Sequence, residues 1–273
     1  MRNLQRYLLL SWATLLFASC QDVIDIELRD ADRKYVIEGS VTQGVDSVLV
    51  RVSRTTSFFD TAKPEAVTDA DVELTLPDGT TQSLQHIADG YYKLQGINAL
   101  SNSTYRLTVR ANGETFTASA FMPESVILDS LTIRPEQNLF GPPPEGPPRF
   151  NVFLNFQDPS ARNYYRAVYA RNGNLKDDLE DLQLFDDELT NGNYIEIPIF
   201  NQTYKPGDTV YVALLTMDAP VYTFLETFVS AASADAGSPF SAAPDNPISN
   251  MEGGALGVFA AYGRVEDTLI IFP

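Results

Sequence analysis

Hydrophobic and polar positions alternate along most of the chain, in short segments that Gly, Asp or Pro interrupt. Such alternation is typical of β-strands with one buried face. The clearest pair covers residues 104–110 and 115–120, because the Asn112-Gly113 step between them is the strongest short-range signal for a hairpin. Roughly seven such segments follow one another between residues 33 and 123. They predict an immunoglobulin-like β-sandwich for this part of the chain.

The alternation continues beyond residue 123, so we expect residues 124–273 to form a second β-rich domain. A Pro-rich run at residues 141–148 interrupts it, and such a run cannot donate to a sheet and favours a stiff, extended loop. Strands are predicted close on both sides, which favours a hairpin loop over a domain linker or a ligand for a Pro-binding partner. The predicted strands are residues 126–133, 150–156, 164–170, 194–199 and 209–215, with residues 257–262 and 268–272 as two closing strands.

One helix is predicted near residues 219–235. Asp218 is suited to its N-cap, Pro220 to its first turn, and Gly237 to its end. Apolar residues recur at helical spacing, which predicts one buried face; they are Val221, Phe224, Leu225, Phe228, Val229 and Ala232. The predicted fold class is therefore all-β, with an N-terminal immunoglobulin-like β-sandwich followed by a second β-rich domain that carries one packed amphipathic helix.

The first twenty residues have the features of an export signal. A basic start is followed by the apolar residues 7–17, which are too few to span a bilayer permanently. Cys20 is the only cysteine, and it stands directly after the small residues at which such signals are cleaved. We interpret residues 1–19 as a signal peptide, Cys20 as a lipidation site and residues 20–32 as a lipidated tether. A plain secretory signal with an incidental cysteine is the alternative.

The charge of the chain limits its partners. Its formal net charge is −17, and loss of Arg2 and Arg6 with the signal would make it more negative. Such a surface repels phosphate backbones, so nucleic acid is excluded as an expected partner. It also repels anionic headgroups, so acyl chains on Cys20 are expected to supply the attachment to the membrane.

Few residues suggest catalysis. His86 is the only histidine, beside a predicted turn, and no Gly-x-Ser-x-Gly nucleophile motif is present. We interpret His86 as a surface strand residue and expect no enzyme activity. A zinc site would rest on His86 and carboxylates alone, which makes it a poor candidate. A pair of catalytic carboxylates comes together only in the fold, so a carboxylate-based hydrolase is the third-ranked alternative.

Acidic residues are densest between residues 177 and 188. Calcium favours oxygen ligands of this kind, but their order does not fit the Asp-x-Asn-x-Asn-Gly loop. A solvated acidic loop is the first interpretation and calcium the alternative, so no cofactor is expected.

Several short motifs are spread over nearly the whole chain. They are Val36-Ile37-Glu38-Gly39, Ala70-Asp71-Val72-Glu73-Leu74, Pro77-Asp78-Gly79, Tyr105-Arg106-Leu107-Thr108-Val109, Asp158-Pro159, Asn163-Tyr164-Tyr165-Arg166, Pro206-Gly207-Asp208, Ser249-Asn250, Gly253-Gly254 and Gly257-Val258-Phe259. Together with Cys20, these motifs resemble the Bacteroidota outer-membrane lipoprotein family labelled domain of unknown function 4249. The N-terminal part of the chain is similar to the carboxypeptidase-regulatory and transthyretin-like sandwiches. The acidic residues after Cys20 resemble surface-export signals, with a solvated linker as the alternative.

Two of these motifs allow a structural as well as a functional interpretation. In the first, Tyr164 and Tyr165 would pack on opposite faces of a strand, while Asp158 and Asn163 hold a turn. In the second, Gly253-Gly254 would mark a bulge or a tight turn rather than a ligand loop. We favour the structural interpretation of both.

The resemblance implies a function but no catalytic residues. Members of this family are often encoded beside TonB-dependent transporters, which implies a role in nutrient capture or import. We therefore expect a lipoprotein of the outer membrane, facing the cell surface, that is a non-catalytic subunit for a peptide or glycan ligand. A structural or adhesive surface protein is the alternative.

Overall fold

The computed structural model describes residues 32–57, 63–137, 146–200, 202–233 and 245–272. These residues contain seventeen strands, one α-helix and a short 3₁₀ helix. The predicted signal peptide, Cys20 and Gly237 lie outside these ranges. The strands are β1 (Tyr35–Thr42), β2 (Ser47–Arg54), β3 (Glu65–Ala66), β4 (Asp71–Thr75), β5 (Thr81–Ser83), β6 (Gln85–Ala88), β7 (Tyr91–Gln95), β8 (Ser103–Ala111), β9 (Glu114–Met122), β10 (Leu128–Pro135), β11 (Phe150–Gln157), β12 (Tyr164–Arg171), β13 (Asn174–Lys176), β14 (Gln183–Asp186), β15 (Tyr194–Pro198), β16 (Thr209–Met217) and β17 (Leu256–Ile270); the helix is α1 (Ala219–Ser233) and the 3₁₀ helix is Leu179–Asp181.

A ten-stranded sheet connects the two halves of the chain. Its strands follow the order β13-β12-β16-β17-β1-β2-β7-β6, with β14 beside β12 and β3 beside β2. A four-stranded sheet, β5-β4-β8-β9, and a three-stranded sheet, β10-β11-β15, complete the fold. The all-β class with one helix is therefore confirmed. The predicted boundary between two domains after residue 123 stays a prediction. The largest sheet contains strands from both sides of this boundary.

The alternation seen in the sequence explains the two hydrophobic cores. In β1 and β2, Ile37 and Val50 are fully buried in a cluster that they share with Leu107 of the four-stranded sheet. In β12, Tyr165 and Tyr169 belong to a second cluster, formed with the three-stranded sheet. Burying these apolar side chains contributes about 25 cal/mol per Å² of area removed from water.

β17 joins the two halves through its unusual length. Its first part pairs in parallel with β1, from Val36 opposite Leu256 to Thr42 opposite Tyr262. Its second part pairs antiparallel with β16. The sequence predicts two closing strands here, because Arg264, Glu266 and Asp267 in the segment between them look like a break. That expectation is wrong, since those residues continue the pairing with β16.

Gly263 lies where β17 passes from one partner to the other. A Cβ at this position would stand 2.3 Å from Thr216 Oγ1 and 2.7 Å from the carbonyl oxygen of Pro123. Only hydrogen fits there, because real Cβ atoms do not approach other heavy atoms so closely. The segment that links β9 to β10 thus crosses directly over β17.

The two predicted hairpins are present. Asn112 and Gly113 have φ values of 48° and 81°, as a type I′ turn requires, and they join β8 to β9. β10 pairs antiparallel with β11, and the N–H of Glu136 donates to the carbonyl of Arg149 at 2.8 Å. The Pro-rich run therefore belongs to a hairpin connection, although residues 138–145 themselves lie outside the described ranges.

α1 begins at the predicted position, but fewer of its apolar side chains are buried than the sequence predicts. The Asp218 side chain caps it by accepting the N–H of Val221 at 3.1 Å, and its other oxygen accepts the N–H of Phe121 at 2.8 Å. Val221, Phe224 and Leu225 are buried in the first core. The expectation of burial at Phe228 is wrong, because this ring is 42% exposed. Val229 is only half-buried and Ala232 is exposed, so the apolar face continues past the sheet that covers its first turns.

Candidate functional site

A groove lies over the face of the ten-stranded sheet that points away from the four-stranded sheet. It has a volume of about 640 Å³, within the range of about 300–1,000 Å³ that is usual for ligand clefts. We call it the helix groove, and it is bounded by β1, β2, β17, α1 and residues 177–182. Strand alternation creates its floor: while Ile37 and Val50 enter the core, their neighbours Glu38, Leu49 and Arg51 line the groove.

The helix side of the helix groove is apolar and partly open to solvent. Phe224 and Phe228 stack with their ring centroids 6.1 Å apart. Phe228, Leu49 and Leu179 are 42%, 44% and 37% exposed, and all three line the groove. Aromatic and aliphatic side chains that stay exposed beside a cleft are typical of ligand or partner contacts.

Charged groups of both signs line the same groove. The guanidinium of Arg51 lies 3.8 Å from the carboxylate of Glu38 and 5.6 Å from the ring centroid of Tyr91. Asp177 and Asp178 are exposed and contribute negative charge. The groove can therefore hold a ligand that has charged groups as well as an apolar part.

Arg166 is the least satisfied of these charged groups. Its guanidinium lies near the buried hydroxyl of Tyr262. Burial raises the pKa of Tyr262, and the nearby positive charge of Arg166 opposes that rise. Among the described residues Arg166 has no carboxylate within ion-pair distance, and its Nε–H has no acceptor. The sequence presents Arg166 only as part of a tyrosine-rich strand, so this placement was not predicted.

The neighbouring residues of the same motif have structural roles, as expected. Tyr165 is fully buried and donates to Asp158 Oδ1, while Asp158 Oδ2 accepts the N–H of Gly192 at 2.8 Å. Tyr164 lies on the opposite face of β12, with its ring 4.9 Å from that of Tyr222 on α1. The N–H of Asn163 donates to Asp187 at 2.9 Å. These contacts fix the loops around β12.

Asp158 and Asn163 also border a second cleft of about 730 Å³ beside residues 123–127. Next to it, Asp187 is fully buried, and its Oδ1 has no partner among the residues described. Burial raises the pKa of Asp187, and the nearby charge of Asp158 adds to the rise. Asp187 therefore keeps its proton to a higher pH than a free aspartic acid does.

The acidic run is only partly a solvated loop, which corrects the first interpretation. Asp187 is fully buried, and Asp181 is 6% exposed. Asp181 accepts hydrogen bonds from the Tyr169 hydroxyl at 2.9 Å and from Gln202 at 3.2 Å. Within the ranges that the structure describes, no group of three or more His, Cys, Asp or Glu side chains is placed to hold a metal ion. Calcium binding stays a sequence-based alternative.

Two further motifs are also structural. Asp208 forms an ion pair with Arg171 at 2.6 Å and accepts the side chain of Asn172 at 2.8 Å. Gly253 and Gly254 both have positive φ, 88° and 87°, and form the tight turn that the sequence predicts.

His86 is exposed on β6 and packs on Tyr92, with ring centroids 5.2 Å apart. It is a surface strand residue, as predicted.

The described residues form an all-β fold with three sheets and one capped helix. The chain belongs to the family described as Domain of unknown function (DUF4249), whose match covers residues 21–268. No curated protein matches the chain. No helix among the described residues is long and apolar enough to cross a membrane.

Three solved structures have a weak likeness to the chain. A two-domain fibronectin type III segment of chicken tenascin has 13% identity and a TM-score of 0.24, with 69% of this chain and 93% of that chain covered. The chicken interferon gamma receptor alpha chain has 10% identity and a TM-score of 0.21, with 67% and 88% covered. Bovine butyrophilin has 10% identity and a TM-score of 0.21, with 88% and 100% covered.

Proposed function

We propose that the protein is a lipoprotein of the Bacteroidota outer membrane, anchored through Cys20 and facing the cell surface. In this role it is a non-catalytic capture or accessory subunit of a TonB-dependent nutrient transporter, with a peptide or a glycan as its ligand. The helix groove is the observation that carries this proposal. It combines a cleft of about 640 Å³ with charged and apolar walls, which is how ligand sites are usually built.

The polar groups of the groove support binding more than chemistry. General acid or base catalysis needs a group that can exchange protons near neutral pH within reach of its target. The guanidinium groups of Arg51 and Arg166 offer hydrogen-bond donors only, so they are suited to holding an anionic group of a ligand rather than to proton transfer. Asp177 and Asp178 are exposed, and their carboxylates can bind a cationic group of a ligand.

An affinity pull-down from detergent-solubilised outer membrane tests the transporter partnership. The full chain carries a tag at its C-terminus, and Cys20→Ala is the matched control because it removes only the site of lipidation. We expect a TonB-dependent receptor to be recovered in constant proportion with the lipidated chain and to be lost with the control. Recovery of the lipidated chain alone would refute the partnership and favour a free-standing adhesive or structural surface protein.

A further inference from the structure

Arg166 provides a positive charge that no carboxylate among the described residues neutralises through an ion pair. It lies partly buried in the helix groove, near the hydroxyl of Tyr262 and without an ion pair among the described residues. An arginine guanidinium offers parallel N–H donors that match the two oxygens of a carboxylate. Arg166 is partly exposed and lines the groove, so a ligand carboxylate can reach its guanidinium there.

Groups of the opposite sign and an apolar wall lie along the same groove. Asp177 and Asp178 have no ion pair within the part of the chain that the structure describes, so they are available to a cationic group. Phe224 and Phe228 present stacked rings to the cleft. The groove therefore offers partners for an anion, a cation and an apolar side chain.

The charges discriminate between the two ligand classes of the proposed function. A neutral glycan would cover Arg166 without giving it a counter-charge, and covering an unpaired charge is unfavourable. A short peptide with free termini carries a carboxylate, an ammonium group and apolar side chains. We infer that the helix groove binds short peptides, with the C-terminal carboxylate on Arg166 and an apolar side chain against Phe224 and Phe228. This inference rests on the proposed capture function and narrows it.

Equilibrium dialysis of the full chain against defined probes tests this inference. The probes are a tripeptide library with free termini, the same library with amidated C-termini, and maltotriose, and mass spectrometry quantifies what the protein retains. We expect retention of free-carboxylate tripeptides, with a loss of about ten- to a hundredfold on amidation, the size expected for one charge-assisted pair. Arg166→Gln should produce a similar loss without changing the thermal midpoint by more than a few degrees.

Arg106→Gln is the matched control, because Arg106 is exposed on β8 and does not line the groove. Equal retention of amidated tripeptides, retention of maltotriose alone, or no retained tripeptide would each overturn the inference. The amidated library needs no variant, so a folding defect in Arg166→Gln cannot mask the answer. Retained tripeptides without a recovered receptor would remove only the transporter partnership. A recovered receptor without retained tripeptides would remove only the peptide site.

Discussion

The side-chain amide of Asn250 bonds both backbone groups of Phe259, accepting its N–H at 3.0 Å and donating to its carbonyl at 2.7 Å. Phe259 lies in the part of β17 that pairs with β1 on its other side. The amide thus takes the place of a neighbouring strand and satisfies an edge that would otherwise be open. In this chain the Asn250 side chain therefore has a structural role.

Replacement of Asn250 should therefore weaken the junction between the two halves. We expect Asn250→Ala to lower the free energy of unfolding by about 1–3 kcal/mol, because two part-buried backbone groups lose their partner. Chemical denaturation monitored by circular dichroism measures this loss. Asn98→Ala is the control, since Asn98 is exposed and should change stability by less than about 0.5 kcal/mol. Equal effects of the two variants would contradict this role.

Gly257 should tolerate no side chain. Its φ is +100°, and a Cβ would lie 2.1 Å from the carbonyl oxygen of Ile37, on the neighbouring strand β1. We expect Gly257→Ala to cost about 4 kcal/mol or more, because strain and a backbone clash act together. Gly44→Ala is the matched control, with a φ of +76° but open space around it. Gly44→Ala should lower the free energy of unfolding by only about 1 kcal/mol. Soluble yields and denaturation midpoints that are the same for the two variants would show that the structure relieves the clash at residue 257.

Local signals in the sequence predicted much of this fold, and non-local pairings account for what they missed. The Asn112-Gly113 turn and the Asp218 cap were predictable, since each depends on residues within a few positions. The parallel pairing of β1 with β17 was not, because nothing in either strand specifies a partner more than two hundred residues away. Helical periodicity correctly placed Phe228 on the apolar face of α1. It could not show that the sheet covers only the first turns of this helix and leaves Phe228 exposed.

The candidate site was less predictable for the same reason. The helix groove combines Glu38, Arg166 and Phe228, which come from three distant parts of the chain. A tyrosine-rich strand gives no sign that Arg166 will lack an ion pair, since this depends on which carboxylates the fold brings near. The role of Cys20 was predicted from its position alone, and it stays a prediction because Cys20 lies outside the described residues.

Asp208 should stabilise the protein in a pH-dependent manner. Burial alone would raise the pKa of Asp208, but hydrogen bonds from the Lys205 N–H and Asn172, together with the Arg171 ion pair, lower it overall. Its stabilising effect is therefore complete above the unfolded pKa of about 3.8 and is lost as the pH falls through the folded value. We expect Asp208→Asn to lower the free energy of unfolding by about 2 kcal/mol at pH 7.

Denaturation curves of the wild type and Asp208→Asn between pH 2 and pH 7 check this expectation. The difference between the two should be largest at neutral pH and should shrink towards the acid end of the range. A difference that is constant over the range would show that the carboxylate charge contributes nothing.

Asp187 should have the opposite effect. Burial raises its folded pKa above the unfolded value of about 3.8, so folding favours the protonated form, and stability falls as the pH rises from about 4 through the folded value. Asp187→Asn keeps an oxygen that can accept the Asn163 N–H and removes the titration. We expect this variant to be at least as stable as the wild type at pH 7, with a flatter dependence of stability on pH.

The exposed half of α1 provides the last prediction, which separates binding from stability. Phe228 is 42% exposed and contacts the stacked ring of Phe224 at the edge of the helix groove. Phe228→Ser removes apolar surface that the fold leaves in water, so the free energy of unfolding should change by less than about 1 kcal/mol. The same substitution should reduce tripeptide retention in equilibrium dialysis, because a bound apolar side chain loses its contact surface. Val221→Ser provides the contrast, since Val221 is fully buried and its replacement should mainly destabilise the fold. If Phe228→Ser retained tripeptides at the wild-type level, the exposed apolar face of α1 would not be part of the binding site.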